Sequence, residues 1–429
     1  MITILRRPTP KNVKKSLTFL LSSQFWELVE INNYQLKKIQ SLIKHAYEYI
    51  PYYRRIFQQK KITPDRITNL DAFKKIPILT KKDIQQFQND MLPNNFDRRS
   101  LSVNSTGGST GMPLNFYQDE SYLQWSDAAR LRAWKFTVGA TEKDLEAVFW
   151  GAYRDIGSTI TLKKMLYYVL REGILPLNTF DLDEKILNTY LSYYNFFSPP
   201  IVRGYASSLY YIARYIENKS IKVKKPQAII SSTEILHTRM RQTIERVFEC
   251  KVFDSYGCRE VSQIATECSE HNGLHIVFEN QYVELDGQDI LITNLNNFIM
   301  PFIRYKVGDL AVAINTSPCP CGRFSPRIES LIGRDNDNIE LPNGKVINGE
   351  FFEFLFFGMS SVIQYQIIYY KGADRLEIKL QQNDSSENVW EMIKKTMAEK
   401  FNYYNVYVSY TDKFDKTPTG KLRFVYMVD

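Results

Sequence analysis

The sequence has no long uninterrupted apolar run. No stretch reaches the roughly 18 uncharged apolar residues of a membrane-spanning helix, which argues against a transmembrane segment. Basic residues from Arg6 to Lys15 precede the apolar stretch Leu17 to Leu21, as in a secretion signal, but that stretch is short and ends at Ser22 without a small-residue cleavage pattern. We therefore expect a cytoplasmic protein. Its N-terminal segment makes at most peripheral membrane contact, or simply docks as a helix on the main domain.

Cysteine is also scarce, with five residues in 429. Without a secretory signal, so few cysteines do not predict disulfides. The charge imbalance is small, because 55 basic and 47 acidic side chains leave a net charge of +8, and the densest basic patches are Lys222 to Lys225 and the N-terminal arm. We interpret these patches as solvated faces. Since no RNA- or DNA-binding motif is recognisable, we expect no nucleic-acid partner.

The sequence does contain a long alternation of helical and strand patterns. Its 429 residues, 44% of them hydrophobic, are enough for two or more domains. Apolar strands predicted at 147–150, 201–202, 228–231, 251–254 and 289–293 alternate with helices at 122–136, 185–197, 207–217 and 238–249, and another helical pattern at 26–53 breaks at Pro51. This alternation predicts an α/β fold with largely parallel strands. The motifs described below then fall at strand ends.

A smaller unit is predicted after residue 333. A hairpin at 339–346, a helix at 350–357, strands at 362–370 and 375–381 and a helix at 387–401 follow one another there. About 95 residues with these elements can form a small α+β domain with its own core. The predicted domains are therefore 1–333 and 334–429.

The loop from Ser105 to Pro113 consists of glycine, hydroxyl side chains and little bulk. Glycines allow backbone N–H groups to approach phosphate oxygens, and Ser and Thr hydroxyls add rotatable donors. ATP is the first candidate ligand, with a flexible surface turn as the alternative. Kinase and ATPase interpretations of the P-loop type lose support, because their signature needs Lys directly after Gly111, where the chain has Met112.

Further motifs follow this loop in a fixed order. They are Ser232-Thr233-Glu234, Asp254 to Glu260 (DSYGCRE), Arg304 to Asp309 (RYKVGD), Gly333 to Asp337 (GRDND) and Thr419-Gly420-Lys421. Together with the loop, this series resembles the adenylate-forming ligases. More narrowly it is similar to the phenylacetate-CoA ligase branch, including its relatives in capsular polysaccharide biosynthesis. The resemblance covers nearly the whole chain.

The resemblance implies a large N-terminal adenylate-forming domain with mostly parallel sheets and a small mobile C-terminal lid. Residues 1–333 would bind ATP and the acid, and residues 334–429 would form the lid. The family's hinge residue is commonly Asp, whereas the matching position here is Asn336. Asn tolerates unusual backbone conformations, so we expect the motion to survive this departure.

The reaction implied by the resemblance joins a carboxylate to AMP, releases pyrophosphate and passes the acyl group to a thiol. Because two anions must meet, the reaction requires hydrogen-bond donors to the phosphates, Mg²⁺ and a mobile cation. Lys421 would bridge the acid and the α-phosphate, and Glu260 would ligate Mg²⁺. The expected ATP-binding residues are Ser105, Thr106, Gly107, Gly108, Ser109, Thr110, Gly111, Ser232, Thr233, Glu234, Tyr256, Gly257, Asp309 and Arg334. Tyr256 would pack on adenine, and Asp309 would accept from both ribose hydroxyls.

The sequence leaves the identities of the acid and of the acceptor open. Trp150 and Tyr205 are the candidate substrate-binding residues, and the acid is an aryl or hydroxy acid, an amino acid or a short acyl group. CoA or the pantetheine of a carrier protein is the expected acceptor. The alternatives are direct transfer to an amine or a sugar, or a catalytically silent scaffold for polysaccharide assembly. The oligomeric state is also open, with a homodimer as one possibility.

A second site is suggested by Cys268, His275, Cys319 and Cys321, three thiols and an imidazole that suit tetrahedral zinc. The spacing is not that of a standard finger, so from spacing alone free buried thiols are favoured. Some members of the branch carry structural zinc in matching segments, which makes zinc an equal alternative here. His271 is the alternate ligand. We assign no catalytic role to Cys258.

Overall fold

The computed structural model of the chain describes residues 7–94, 101–105, 114–150, 162–179, 184–334, 339–343, 345–347, 349–356, 361–382, 388–415 and 424–428. Among these residues the α-helices are α1 (Lys11–Ser23), α2 (Leu28–Tyr49), α3 (Pro51–Gln59), α4 (Leu70–Phe73), α5 (Lys81–Phe87), α6 (Glu120–Trp134), α7 (Leu162–Tyr167), α8 (Glu184–Phe197), α9 (Ala206–Asn218), α10 (Thr238–Phe248), α11 (Gly349–Phe356) and α12 (Val389–Phe401). The strands are β1 (Ser102–Ser105), β2 (Asn115–Gln118), β3 (Glu146–Trp150), β4 (Ile174–Asn178), β5 (Ile201–Tyr205), β6 (Ala228–Ser232), β7 (Val252–Cys258), β8 (Ser262–Glu267), β9 (Leu274–Ile276), β10 (Gln281–Asp286), β11 (Asp289–Asn294), β12 (Tyr305–Ala311), β13 (Ile314–Asn315), β14 (Arg327–Ile328), β15 (Leu331–Arg334), β16 (Ile339–Glu340), β17 (Val346–Ile347), β18 (Val362–Tyr370), β19 (Arg375–Gln382), β20 (Val406–Tyr410) and β21 (Val425–Val428).

The chain divides into two compact units. Unit 1 comprises Met1–Asp144, Leu170–Gly173 and Phe253–Leu331, and unit 2 comprises Leu145–Val169, Ile174–Val252 and Ile332–Asp429. The domain boundary predicted between residues 333 and 334 stays a prediction.

Unit 1 combines the N-terminal helices with antiparallel strands. Its strands are hydrogen-bonded in the order β13-β14-β9-β8-β7 and, separately, in the order β10-β11-β12. Their shared apolar core includes Ile39 of α2, Phe57 of α3 and Ile292 of β11. The helical pattern that breaks at Pro51 is two helices, because α3 begins at Pro51, where the missing N–H costs nothing.

The N-terminal segment forms a docked helix. Val13, Leu17 and Leu20 of α1 pack with Ala128 and Ala129 of α6 in one buried cluster. Small alanine side chains let the two helices approach closely. No α-helix in the described part of the chain combines the length and apolar character needed to cross a membrane.

Unit 2 contains the parallel strands. They are hydrogen-bonded in the order β6-β5-β3-β4, and each of the three pairs is parallel. Helices α8, α9 and α10 contribute Leu187, Leu209 and Ile244 to the core of this sheet. Parallel strands need such long crossover connections, which the chain supplies as helices.

The C-terminal part of unit 2 has a core of its own. Strands in the order β20-β19-β18-β21 form a mixed sheet, and Phe352 of α11, Ile393 of α12 and Ile378 of β19 are buried against one another. The predicted strand 362–370 and the predicted helices at 350–357 and 387–401 correspond to β18, α11 and α12.

The predicted α/β class is confirmed. The prediction of mostly parallel pairing before residue 334 holds for β3 to β6, whereas β7, β8 and β9 and also β10, β11 and β12 pair antiparallel. The reason is the length of the connections. Short turns rather than helices join these strands, and a short turn returns the chain antiparallel.

Candidate active site

Three predicted site residues lie at one edge of the parallel sheet in unit 2. Trp150, Tyr205 and Ser232 are the last residues of β3, β5 and β6. The register pairs Phe149 with Gly204 and Tyr205 with Ser232, so the three strands end close together. The carboxyl ends of parallel strands are where open α/β sheets bind ligands.

The rings of Trp150 and Tyr205 pack against each other at this edge, where Tyr205 is buried and only 1% exposed. Their ring centroids are 4.5 Å apart at an interplanar angle of 51°. The guanidinium carbon of Arg203 lies 5.0 Å from the centroid of the Trp150 ring, within cation–π range. Arg203 also donates from Nε to the Glu146 carboxylate, and both charged side chains are almost fully buried. The Trp150 ring therefore packs against an ion pair whose two charges neutralise each other.

The segment Ser232-Thr233-Glu234 turns sharply at the end of β6. Thr233 has φ +72°, in the left-handed region that a β-branched residue rarely adopts. The turn directs the carboxylate of Glu234 to the start of α9, where Oε2 accepts from the Ser207 N–H at 2.8 Å. A negative charge at a helix N-terminus is favourable, so this contact fixes the motif to the helix that follows Tyr205.

An open pocket in unit 2 begins beside Ser207. Its walls include Tyr210, His237, Arg239, Phe356 and Phe424. Aromatic walls with a few polar groups are typical of pockets that bind organic ligands.

Tyr256 and Asp309 meet in unit 1. The Tyr256 hydroxyl donates to Oδ2 of Asp309 at 2.9 Å. Asp309 lies on β12 next to an irregularity, because Asp289 pairs with Leu310 while Leu291 pairs with Lys306, which leaves extra residues in β12. Gly308, at this irregularity, has φ +84°, which glycine adopts without strain.

Gly257 follows Tyr256 where the turn from β7 to β8 is tight. A Cβ at this position would lie 2.6 Å from the carbonyl oxygen of Ser262. That distance is too short for any side chain, so the close approach of the two strands requires glycine.

Glu260 lies in the turn between β7 and β8. The Tyr305 hydroxyl lies 3.5 Å from Oε1 of Glu260, and the Tyr122 hydroxyl donates to the Glu260 backbone carbonyl at 3.4 Å. Burial, followed by the charge of Glu260, raises the pKa of Tyr305, and the same two causes raise the pKa of Cys258 well above its usual value. At neutral pH the phenol and the thiol therefore keep their protons, and the Cys258 thiol is not a nucleophile.

Several predicted residues lie outside the described part of the chain. They are Thr106, Gly107, Gly108, Ser109, Thr110, Gly111, Asn336 and Lys421. Ser105 is described, and it ends β1 paired with Asn115 of β2. Arg334 ends β15.

Cys268, His275, Cys319 and Cys321 come together in unit 1, with all four ligand atoms within 4.8 Å of one another. Sγ of Cys268 lies 3.8 Å from Sγ of Cys319, and Sγ of Cys321 lies 3.4 Å from Nε2 of His275. Tetrahedral zinc with Zn–S near 2.3 Å and Zn–N near 2.1 Å would separate two sulfurs by about 3.8 Å and sulfur from nitrogen by about 3.6 Å. These two distances are close to those values.

The surroundings of this cluster also suit a metal. Nδ1 of His275 lies 2.8 Å from the Ser325 hydroxyl, which leaves Nε2 facing the sulfurs. Burial, together with nearby Arg323 and Arg327, lowers the pKa of His275 to about 3, so the imidazole is neutral. Burial alone would raise the pKa of Cys321, but hydrogen bonds from the backbone and side chain of Arg323 outweigh it and lower the pKa.

His271, the alternate ligand, lies outside this group of four. Its Nδ1 is 3.1 Å from Oε2 of Glu267, and its ring packs beside Phe253. The structure therefore favours His275 over His271 as the fourth ligand.

Sequence reasoning missed several neighbours of these residues. Tyr305 belongs to a quoted motif but received no role, although it is the residue whose hydroxyl approaches Glu260. Arg203 lies two residues before Tyr205, and a charged residue in a short apolar strand was the available signal. For Ser325 and Arg323, the only signal in the sequence was that they lie close to Cys321 along the chain.

Comparison with known proteins gives matches along most of the chain. No protein-family model matches it. Protein CapK of Staphylococcus aureus is 27% identical over 410 residues, covering 93% of this chain and 89% of that protein. The phenylacetate-coenzyme A ligase of Escherichia coli (strain K12) is 24% identical over 390 residues, covering 83% and 84% respectively.

Solved structures show the same fold. A 2-hydroxyisobutyryl-CoA ligase in its postadenylation state with 2-HIB-AMP superposes with a TM-score of 0.73 at 18% identity, covering 94% of this chain and 90% of that one. An anthranilate CoA ligase with anthranoyl-AMP superposes with a TM-score of 0.53 at 15% identity, covering 77% and 67%.

Proposed function

We propose that this chain, which is similar to CapK and the phenylacetate-CoA ligases over most of its length, is an ATP-dependent, AMP-forming acid ligase of the adenylate-forming superfamily. It activates a carboxylic acid as the acyl-adenylate and transfers the acyl group to CoA or to a carrier thiol. The observation that carries this proposal is the contact between Tyr256 and Asp309, which brings a candidate adenine platform to a candidate ribose acceptor.

The residues of unit 1 would bind the nucleoside and the metal. The ring of Tyr256 offers a face for adenine, and the carboxylate of Asp309 can accept from two ribose hydroxyls. Glu260, in the same unit, would hold Mg²⁺, which usually takes one or two carboxylates and completes its shell with phosphate oxygens and water. Mg²⁺ would offset the negative charge of the phosphates during attack by the acid.

The remaining ATP-binding roles rest on the motifs. Ser105 to Gly111 would donate to the β- and γ-phosphates, Arg334 would assist at the ribose or phosphate, and Ser232 to Glu234 would line the nucleotide. Lys421 would bridge the acid and the α-phosphate, a task suited to a compact, mobile ammonium group. Asn336 would be the pivot of the C-terminal lid.

The acid would lie against Trp150 and Tyr205. The tilted rings would favour an acid with a flat or apolar body, and the pocket beside Ser207 has aromatic walls. A charged acid would find no unpaired cation in Arg203, because Glu146 already neutralises it.

A second candidate function is direct transfer of the acyl group to an amine or a sugar. The resemblance of the motifs to relatives in capsular polysaccharide biosynthesis favours this alternative, because an enzyme of such a pathway would have a sugar acceptor at hand. A catalytically silent scaffold is less favoured, since the chain has kept Glu260, Asp309 and Lys421.

We also propose a structural zinc ion at Cys268, His275, Cys319 and Cys321. The ion would supply cross-linking rather than catalysis, because four protein ligands leave no open position for substrate.

The test is pyrophosphate release from ATP and Mg²⁺ with a panel of aryl, hydroxy, short-chain and amino acids, each with and without CoA. Release that depends on one acid class supports adenylation, and a further rise with CoA supports the thiol acceptor. Release that rises instead with an amine or a sugar supports the second candidate. ATP binding without release for any acid would contradict both.

A further inference from the structure

The structure points to a role for the hydroxyl of Tyr256 besides that of its ring. We infer that this hydroxyl orients the Asp309 carboxylate toward the ribose, so that Tyr256 is a positioning residue that sets the preference for ribonucleotides over deoxyribonucleotides. The inference rests on the proposed function, in which Asp309 accepts from the ribose hydroxyls.

The geometry of the pair carries the first step. The phenol donates to Oδ2 of Asp309 at 2.9 Å, and Tyr256 is only 8% exposed. An ionised carboxylate has about four acceptor positions, and the phenol uses one of them on one oxygen. A carboxylate that accepts from a phenol can also accept from two hydroxyl donors. The hydrogen bond from the phenol opposes rotation of the carboxylate and so contributes to the direction in which it accepts.

The backbone of Tyr256 is itself held by a buried network. The side-chain amide of Gln263 donates to the Tyr256 carbonyl at 3.2 Å and to the Ser255 hydroxyl at 3.0 Å. The indole N–H of Trp134, from α6, donates to the same Ser255 hydroxyl at 3.1 Å. Ser255 and Gln263 are buried, so the network is shielded from competing water. Hydrogen bonds thus connect α6 to the backbone of Tyr256, and the side chain of the same residue contacts the Asp309 carboxylate.

Rigid orientation is what a discriminating site needs. A carboxylate fixed for two hydroxyls loses a partner when the 2′-hydroxyl is missing, and the loss is felt because the group cannot turn to replace it. A freely rotating carboxylate would adjust and would discriminate less. Removal of the phenol should therefore reduce selectivity and not only affinity.

The experiment compares the dissociation constants of ATP and 2′-deoxyATP by calorimetry for the wild type, Tyr256→Phe and Tyr282→Phe. Tyr256→Phe keeps the aromatic ring for adenine. Tyr282 is a matched control, because it is also 8% exposed and belongs to the same apolar core. We expect Tyr256→Phe to weaken ATP binding about five- to tenfold, as for the loss of one ordinary hydrogen bond, and to weaken 2′-deoxyATP binding by a smaller factor. Tyr282→Phe should keep the wild-type ratio.

A second variant separates orientation from folding. Asp309→Asn keeps the shape of the side chain, and adding Tyr256→Phe to it should change the ratio of the two dissociation constants no further, because the two groups act as one unit. In turnover assays Tyr256→Phe should raise KM for ATP more than it lowers kcat.

A folded Tyr256→Phe protein with the wild-type ratio would overturn the inference, as would a wild type without preference for ATP. A different outcome would overturn the proposed reaction and leave the positioning role standing. In that outcome no acid causes pyrophosphate release, yet Tyr256→Phe still reduces the ratio of the 2′-deoxyATP and ATP dissociation constants.

Discussion

Arg203 and Glu146 form a buried ion pair between neighbouring parallel strands, β5 and β3. The side chains are 10% and 6% exposed, so the two charges compensate each other in the protein interior. Removal of one partner takes this compensation away from a buried charge, which costs far more than the pair contributes.

Arg203→Met should therefore lower the free energy of unfolding by about 3–5 kcal/mol, because the Glu146 carboxylate loses its cation. Adding Glu146→Gln should recover part of that loss. Urea denaturation measures both. The matched control is Arg246→Met, which breaks the exposed pair with Glu217 and should cost less than about 1 kcal/mol. Equal losses at the two sites would contradict the burial argument.

Lys421→Ala should lower acid-dependent pyrophosphate release about 100-fold or more, because the ammonium acts where charge develops during attack. The dissociation constant of ATP should change much less. The measurement combines the release assay with calorimetry, using exposed Lys413→Ala as the control. Pyrophosphate release that survives in the Lys421 variant would reject the assignment.

Cys321→Ser should lower both bound zinc and thermal stability, since one ligand of the four is lost. Elemental analysis of the purified protein measures the metal, and thermal unfolding measures the stability. Cys250→Ser is the control, because Cys250 lies outside the group of four. Unchanged metal content in the Cys321 variant would exclude the site.

The contact between Thr9 and Glu142 predicts a pH-dependent contribution to stability. The Thr9 hydroxyl donates to Oε2 of Glu142 at 2.7 Å, and this bond, followed by Lys14, lowers the pKa of Glu142. A depressed carboxyl pKa stabilises the fold above the unfolded value near 4.3, and that stability is lost as pH falls through the lower folded pKa.

Thr9→Val should therefore destabilise the protein by about 0.5 kcal/mol at pH 7, a value kept small by solvent screening, and by less at pH 3. Thr9→Ser, which keeps the hydroxyl, should behave like the wild type. Unfolding at both pH values is the measurement. A loss that is the same at pH 7 and pH 3 would show that the charge of Glu142 has no part in it.

The regular elements could largely be predicted from the sequence, because they depend on local periodicity. Strand β18 has the predicted bounds, and α8 and α9 begin one residue earlier than predicted. Strand β5 was predicted too short, because Arg203 and Gly204 interrupt its apolar pattern. The buried partner that makes Arg203 acceptable in a core belongs to a different strand, which no local pattern shows.

The contacts of the candidate site could not be predicted in the same way. The order of the motifs suggested that Tyr256 and Asp309 serve one ligand, but their hydrogen bond joins residues far apart in the chain and depends on how β12 is aligned. The four candidate zinc ligands were named by resemblance, since their spacing alone favoured free thiols. Only the folded positions of β9 and of the Cys319 segment bring thiols and imidazole within reach of one ion.

The four-residue cluster has a consequence for how the chain folds. An ion bound there would tie the segment 268–275 to the segment 319–321 and so close a loop that contains β10, β11 and β12. By analogy with other cross-links, closing a loop of this size removes about 4 kcal/mol of chain entropy from the unfolded state. The strand that carries Asp309 lies inside that loop. Metal would therefore bias the unfolded chain toward forming the nucleotide-binding strand, so that a site without catalytic chemistry would still affect how readily the active site assembles.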